Sequence, residues 1–196
     1  MAAVSGLIRV MEKAARKAGA RLRRDFGEVE HLQVSRKGPA DFVSKADQIS
    51  ERTLYDELLA ARPGWGFVLE EGGIIEGEPG NPRWIIDPLD GTSNFLHGIP
   101  HFAISIAAQE PKPDGSGWGD VVAGVVYQPI TDQTFWAEKS RGAWLHDARL
   151  RVSGRSRLGD ALVATGVPFA GHGDFAEWSR IFGAIGPEVA GIRRFG

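Results

Sequence analysis

Cysteine is absent from the 196 residues, which excludes disulfide staples, thiolate metal sites and a cysteine nucleophile together. An excess of one charge is also lacking: 23 Lys and Arg face 25 Asp and Glu. No chain-wide field therefore selects a nucleic acid or a membrane surface. No apolar run is long enough to cross a bilayer, since even HFAISIAAQ stops at Glu110. Arg9, Glu12, Lys13, Arg16 and Lys17 interrupt the N-terminal stretch and leave no apolar core for a signal peptide. The cytoplasm is the expected compartment. A GxSxG elbow and a GxxxxGK[ST] loop are missing too, which removes serine hydrolases of that type and P-loop kinases. What remains, 42% hydrophobic and 24% charged, is the composition of a globular protein able to bury a core.

Val4, Leu7, Ile8, Met11, Ala14, Ala15, Ala18 and Leu22 recur at helical spacing. They predict an amphipathic helix over 3–25, ended before Gly27, with its Arg and Lys residues on the solvated face. Ser44 and Asp47 have the spacing of a capping box, and Ile49, Leu54 and Leu58 carry a second helix to Arg62-Pro63-Gly64. That reading sets Asp47 in a first helical turn. Gly66-Phe67-Val68-Leu69 and Trp84-Ile85-Ile86 then read as short buried strands, each running straight into carboxylates. HFAISIAAQ, DVVAGVVYQP and QTFWAEKSRGAWL are β-rich segments separated by turn residues, as in a largely antiparallel sheet. Residues 158–196 are mixed: ALVATGV as a strand, DFAEWSRIFGAI as a helix, AGIRRFG as another strand. The expectation is one α/β domain over 1–196, with a larger portion at 1–150 and a smaller one at 151–196.

The chemistry concentrates in Asp87-Pro88-Leu89-Asp90-Gly91-Thr92. Pro88 biases Asp87 toward extended geometry, so a strand delivers that carboxylate at its end. Asp90 follows as an expected helix N-cap with a second carboxylate, and Gly91 and Thr92 offer backbone N–H groups where a helix start favours an anion. Glu70 and Glu71, ending the preceding strand, add a third. Hard oxygen donors without Cys or organised His select Mg²⁺, or Mn²⁺ in its place, over zinc. Glu70, Asp87 and Asp90 sum to about -3, and two divalent ions would overcompensate them, leaving a site attractive to a phosphate dianion. The competing reading is a plain strand-to-helix turn, because Asp, Pro and Gly are all turn residues. Asp47, likewise, stabilises a first helical turn by about 0.3–1 kcal/mol with no chemistry at all.

Here the sequence resembles the inositol monophosphatase family, within the lithium-sensitive, magnesium-dependent phosphatases that include fructose-1,6-bisphosphatases. The resemblance runs through KGPADFVSKAD, EEGG at 70–73, WIIDPLDGTSNFLHGIPHFAISIA, AGVVYQP, TFWAEKSRGAW and AGIRRFG. It implies a layered α/β/α/β/α sandwich, usually a homodimer, and Mg²⁺-dependent, Li⁺-inhibited hydrolysis of inositol monophosphates and similar polyol phosphates. By it, Glu70, Asp87, the Leu89 carbonyl and Asp90 are metal ligands, and Asp90, Gly91 and Thr92 cradle the phosphate. A metal-held water is activated by Glu70 and by a Thr92 hydroxyl bonded to Asp47, and Arg193 touches the substrate. Arg193 as a mere surface arginine is the alternative. The resemblance chooses Glu70 over Glu71.

Leu69 stands where many relatives have Gly and Ser93 where Thr is common. Family members carry a further segment after RRFG, with a WD motif whose aspartate ligates a second metal. A form ending at Gly196 is accordingly expected to be weak or inactive and a longer form active. His97 and His101 have zinc-like spacing, but Gly98 and Pro100 break any helix between them. GHGDFA at 171–176 imitates a dinucleotide loop without its βαβ unit, and GSGWGD from 115 reads as a hairpin turn. A nucleotide or histidinol phosphate phosphatase is the enzymatic alternative. A non-catalytic partnership with RNA polymerase or nucleic acid in transcription, with Arg193 and Arg194 as its handle, is the other.

Overall fold

The apolar stripe Ile8, Met11, Ala14, Ala15, Ala18 and Leu22 becomes the fully buried face of α1 (Gly6–Leu32) in the computed structural model, which describes residues 4–32, 39–168 and 173–195. The helix does not stop before Gly27 as expected; a lone helical glycine costs about 1 kcal/mol without interrupting the hydrogen-bond ladder. α2 (Pro39–Ala61) also begins earlier than expected. Pro39 occupies the first helical position, where its missing N–H costs nothing. Ser44 is therefore inside the helix, its side chain outside the described residues, and Asp47 lies past the second turn instead of in the first.

The chain divides into two compact units, Met1–Leu150 and Arg151–Gly196. In the first, β1 (Gly66–Leu69), β2 (Gly73–Ile75), β3 (Arg83–Asp90), β4 (Ala103–Pro111), β5 (Trp118–Gln128), β6 (Gln133–Glu138), β7 (Gly142–Leu145) and β8 (Ala148–Arg149) form a sheet in the order β2-β1-β3-β4-β5-β6-β7-β8. Pairing is antiparallel as expected except between β1 and β3, which run parallel with Phe67 opposite Trp84 and Val68 opposite Ile85. α3 (Thr92–Leu96) follows β3 directly. Trp84, Ile86, Ile104, Ile106, Val125 and Tyr127 join the α1 and α2 stripes in one core. Phe26 of α1 closes one side of it against Phe95 and Phe102, at ring separations of 5.5 and 5.1 Å.

The second unit holds β9 (Leu162–Ala164), α4 (Phe175–Ile185) and β10 (Gly191–Arg193), the strand, helix and strand expected. β9 and β10 pair in parallel. Asp174 caps α4 by accepting the Ala176 and Glu177 N–H groups at 2.8 and 3.0 Å. Among the described residues no helix is long and apolar enough to cross a membrane.

Candidate active site

β3 continues through the Asp87–Asp90 tetrad, so Asp87 does not end the strand as expected. Pro88 has no N–H to give β4, and the pairing slips there: Asp87 faces Ser105, while Asp90 faces Ala103. The freed Leu89 N–H turns back to Asp87 Oδ1 at 3.1 Å. Asp90 is correspondingly the last strand residue and not the N-cap of α3. Gly91 takes the cap position in the left-handed region, at φ 93°, and a Cβ there would lie 2.9 Å from the His101 carbonyl. Thr92 opens α3, but its hydroxyl donates to the Leu89 carbonyl at 2.9 Å and not to Asp47. The turn at Gly91 brings that carbonyl, three residues back, within reach of the side chain. α3 has only five residues, so any anion held by Gly91 and Thr92 relies on the free N–H groups of its first turn more than on a helix dipole.

Glu70 follows β1 directly and Asp87 lies two residues past the last β1–β3 pair, Val68 opposite Ile85, so both stand just beyond the parallel pairing. Burial, then the Asp87 charge, a hydrogen bond to Asp87 and the charges of Asp47 and Glu71 push the Glu70 carboxyl up to about 7. Glu70 is an exposed residue whose carboxyl meets that of Asp87. Asp87 is raised by burial and by Asp90, with the Leu89 N–H opposing. The Asp47 carboxyl, 5% exposed and with Oδ1 lacking a hydrogen-bond partner among the described residues, is pushed up to about 6 by burial and by Glu71, Asp87 and Glu51. None of the described groups acting on these three acids is a cation. Asp47, Glu70, Asp87 and Asp90 are thus brought together. Among the described residues, however, no three such side chains are drawn close enough to hold a metal ion as they stand. Unneutralised carboxylates repel, which keeps the contacts pairwise.

Arg193 lies on β10 in the second unit, where its Nη1 donates to the Ile192 carbonyl at 2.9 Å. His97 places Nδ1 2.7 Å from the Ser93 carbonyl, in keeping with a structural role. Sequence reasoning missed Ser50 and Glu51, which are 2% and 8% exposed. The signal was present: Asp47, Glu51, Leu54 and Leu58 share one helical stripe, and polar residues on a buried stripe need polar partners.

Fold and site together define an α/β protein whose carboxylates gather where the parallel pairing of β1 and β3 ends. The chain belongs to the inositol monophosphatase family, whose model matches residues 4–195. It is 52% identical over 192 residues to the inositol-1-monophosphatase of Rhizobium meliloti, covering 98% of this chain and 70% of that protein. It is 38% identical to a protein of Pseudomonas aeruginosa named Nus factor SuhB, over 97% of this chain and 69% of the other. The solved structure of extragenic suppressor protein suhB from Bartonella henselae superposes with a TM-score of 0.83 at 48% identity, over 98% of this chain and 70% of that one.

Proposed function

We propose that the chain is a phosphomonoesterase acting on inositol monophosphates or related polyol phosphates, dependent on Mg²⁺ with Mn²⁺ as a substitute. The observation that carries this is the cluster of Asp47, Glu70 and Asp87, which among the described residues has no cation acting on it and leaves a buried Asp47 oxygen without a partner. An all-oxygen donor set with unbalanced negative charge fits a hard divalent cation. The carboxylates of Glu70, Asp87 and Asp90 and the Leu89 carbonyl would hold it. Bound there, the cation would polarise a phosphoryl oxygen and neutralise charge developing in displacement at phosphorus.

The remaining work falls to the chain's own groups. Glu70, whose carboxyl meets that of Asp87, would be placed to take a proton from an attacking water. Asp47 Oδ1 is an acceptor available to orient that water or the Thr92 hydroxyl. Asp90, Gly91 and Thr92 would hold the phosphate. The name of the Rhizobium meliloti relative supports inositol phosphates as the substrate class.

A second reading, a non-catalytic role beside the transcription machinery, draws on the relative named Nus factor SuhB. Phosphate release from inositol, nucleotide and histidinol phosphates, with Mg²⁺ or with EDTA, separates the two. Inositol phosphates should be hydrolysed only with Mg²⁺, and Asp90→Asn should lower kcat on the order of 10³-fold. Release indifferent to EDTA and to Asp90→Asn would sink the metal-dependent reading. Polymerase binding without any phosphate release would favour the second.

A further inference from the structure

α2 reaches the carboxylate cluster through two consecutive residues that the proposed chemistry leaves unused. The buried Ser50 hydroxyl donates to the Pro88 carbonyl at 2.9 Å, and the buried Glu51 Oε2 accepts the Glu71 backbone N–H at 2.9 Å. These bonds land on different segments: Pro88 lies in the slipped stretch of β3 between Asp87 and Asp90, and Glu71 immediately follows Glu70. Both segments lie where the sheet's own ladder is irregular or ended. The β1–β3 pairing closes at Val68 opposite Ile85, and the β3–β4 register is broken between Asp87 and Asp90. The loop after Glu71 also sits tightly on Glu51, since a Cβ at Gly72 would come within 3.2 Å of Glu51 Oε1 and 2.7 Å of Leu69 Cδ1.

A glutamate here is expensive if its role is only to fill space. It interrupts the Leu54 and Leu58 stripe, and its charge adds to the burden on Asp47. The hydrogen bond to Glu71 supplies what leucine would not: a fixed backbone position one residue from Glu70.

We propose that Ser50 and Glu51 are positioning residues. By gripping the Pro88 carbonyl and the Glu71 N–H from one helical turn, they set the spacing of Glu70 against Asp87 and Asp90 without touching substrate. The proposal rests on the reading of those carboxylates as the metal and phosphate site. Its requirement at residue 51 is an acceptor oxygen, and a charge is dispensable. Glu51→Gln keeps such an oxygen; Glu51→Ala removes it.

The test is Mn²⁺ binding, with the metal alone and no substrate, followed by calorimetry in parallel with hydrogen exchange of the Glu71 amide. Glu51→Ala should weaken Mn²⁺ binding about 10- to 100-fold, the usual cost of losing a group that orients a ligand, and should deprotect the Glu71 amide. Glu51→Gln should keep both within about threefold of wild type on the same grounds. Unchanged Mn²⁺ binding in Glu51→Ala overturns the proposal, as does Glu51→Gln behaving as badly as alanine. If Glu51→Ala does not fold, Ser50→Ala decides: weaker Mn²⁺ binding supports the proposal and unchanged binding overturns it. Asp90→Asn is the independent control. Wild-type Mn²⁺ binding that survives Asp90→Asn defeats the site assignment itself, whatever the Glu51 variants do.

Discussion

The Arg16 cluster and the Asp47 cluster are made of similar side chains on two packed helices of the same unit, yet they treat charge in opposite ways. Arg16 on α1 bonds Glu12 at 3.0 Å, Asp132 at 2.5 Å and Thr134 at 3.2 Å, and lies 5.1 Å over the Tyr127 ring. The Tyr127 hydroxyl completes the set by donating to Asp132 at 2.9 Å. That hydroxyl and Arg16 hold the Asp132 carboxyl below the usual carboxylate range. Around Asp47 on α2 the acids have one another, and their carboxyls are pushed up instead. A network centred on a cation fastens α1 to β5 and β6. One without a cation among the described groups costs the fold stability and would be relieved by a cation from outside, the link between this structural difference and the proposed function.

The largest effect should come from disturbing the unbalanced cluster. Asp87→Asn keeps the size of the side chain and removes one repelling charge. Phosphate release in Mg²⁺ should fall on the order of 10³-fold, while the metal-free variant melts at a higher temperature than metal-free wild type. Kinetics and thermal unfolding in EDTA measure the two halves. A variant that loses activity and also melts lower would show that Asp87 is structural and that the contrast with the Arg16 cluster is mistaken.

pH sharpens the same contrast with a smaller effect. Glu70 titrates at about 7 and Asp47 at about 6 in the folded chain, against ordinary values of 4.5 and 3.8. The folded state therefore keeps protons that the unfolded chain releases at lower pH. The stability this gives is fully present below about pH 4 and is lost as pH rises through 6 and 7. In EDTA the melting temperature should drop by roughly 3 °C or more across that window relative to the same titration in Mg²⁺. Parallel curves with and without Mg²⁺ would mean that the cation does not engage these acids.

Much of this was readable without coordinates because it is local. The α1 stripe, the strands that run into Glu70 and Asp87, and the DPLDGT string announce themselves within a few residues. The errors at the site share one physical origin, the partner distant in sequence. The slip that keeps Asp90 in β3 depends on β4, and the choice of Gly91 over Asp90 as cap depends on how closely the His101 carbonyl approaches. The Thr92 hydroxyl followed the nearest carbonyl, at Leu89, and not the acid on α2. Ser50 and Glu51 belong to no motif, and the partners that give them meaning, Pro88 and Glu71, lie 38 and 20 residues away.

The Arg16 cluster should yield the smallest change. Arg16→Ala removes the guanidinium that joins Glu12, Asp132 and Thr134, but its side chain is 38% exposed and such pairs are screened by water and salt. The melting temperature should fall by at most roughly 4 °C, the equivalent of about 1 kcal/mol in a chain of this size. Phosphate release should stay within about twofold of wild type, because none of the displaced groups acts on Glu70, Asp87 or Asp47. Differential scanning calorimetry and a phosphate assay on one preparation suffice. A loss of activity approaching that of Asp87→Asn would mean that α1 transmits its packing to the ends of β1 and β3, and the two clusters would have to be treated as one.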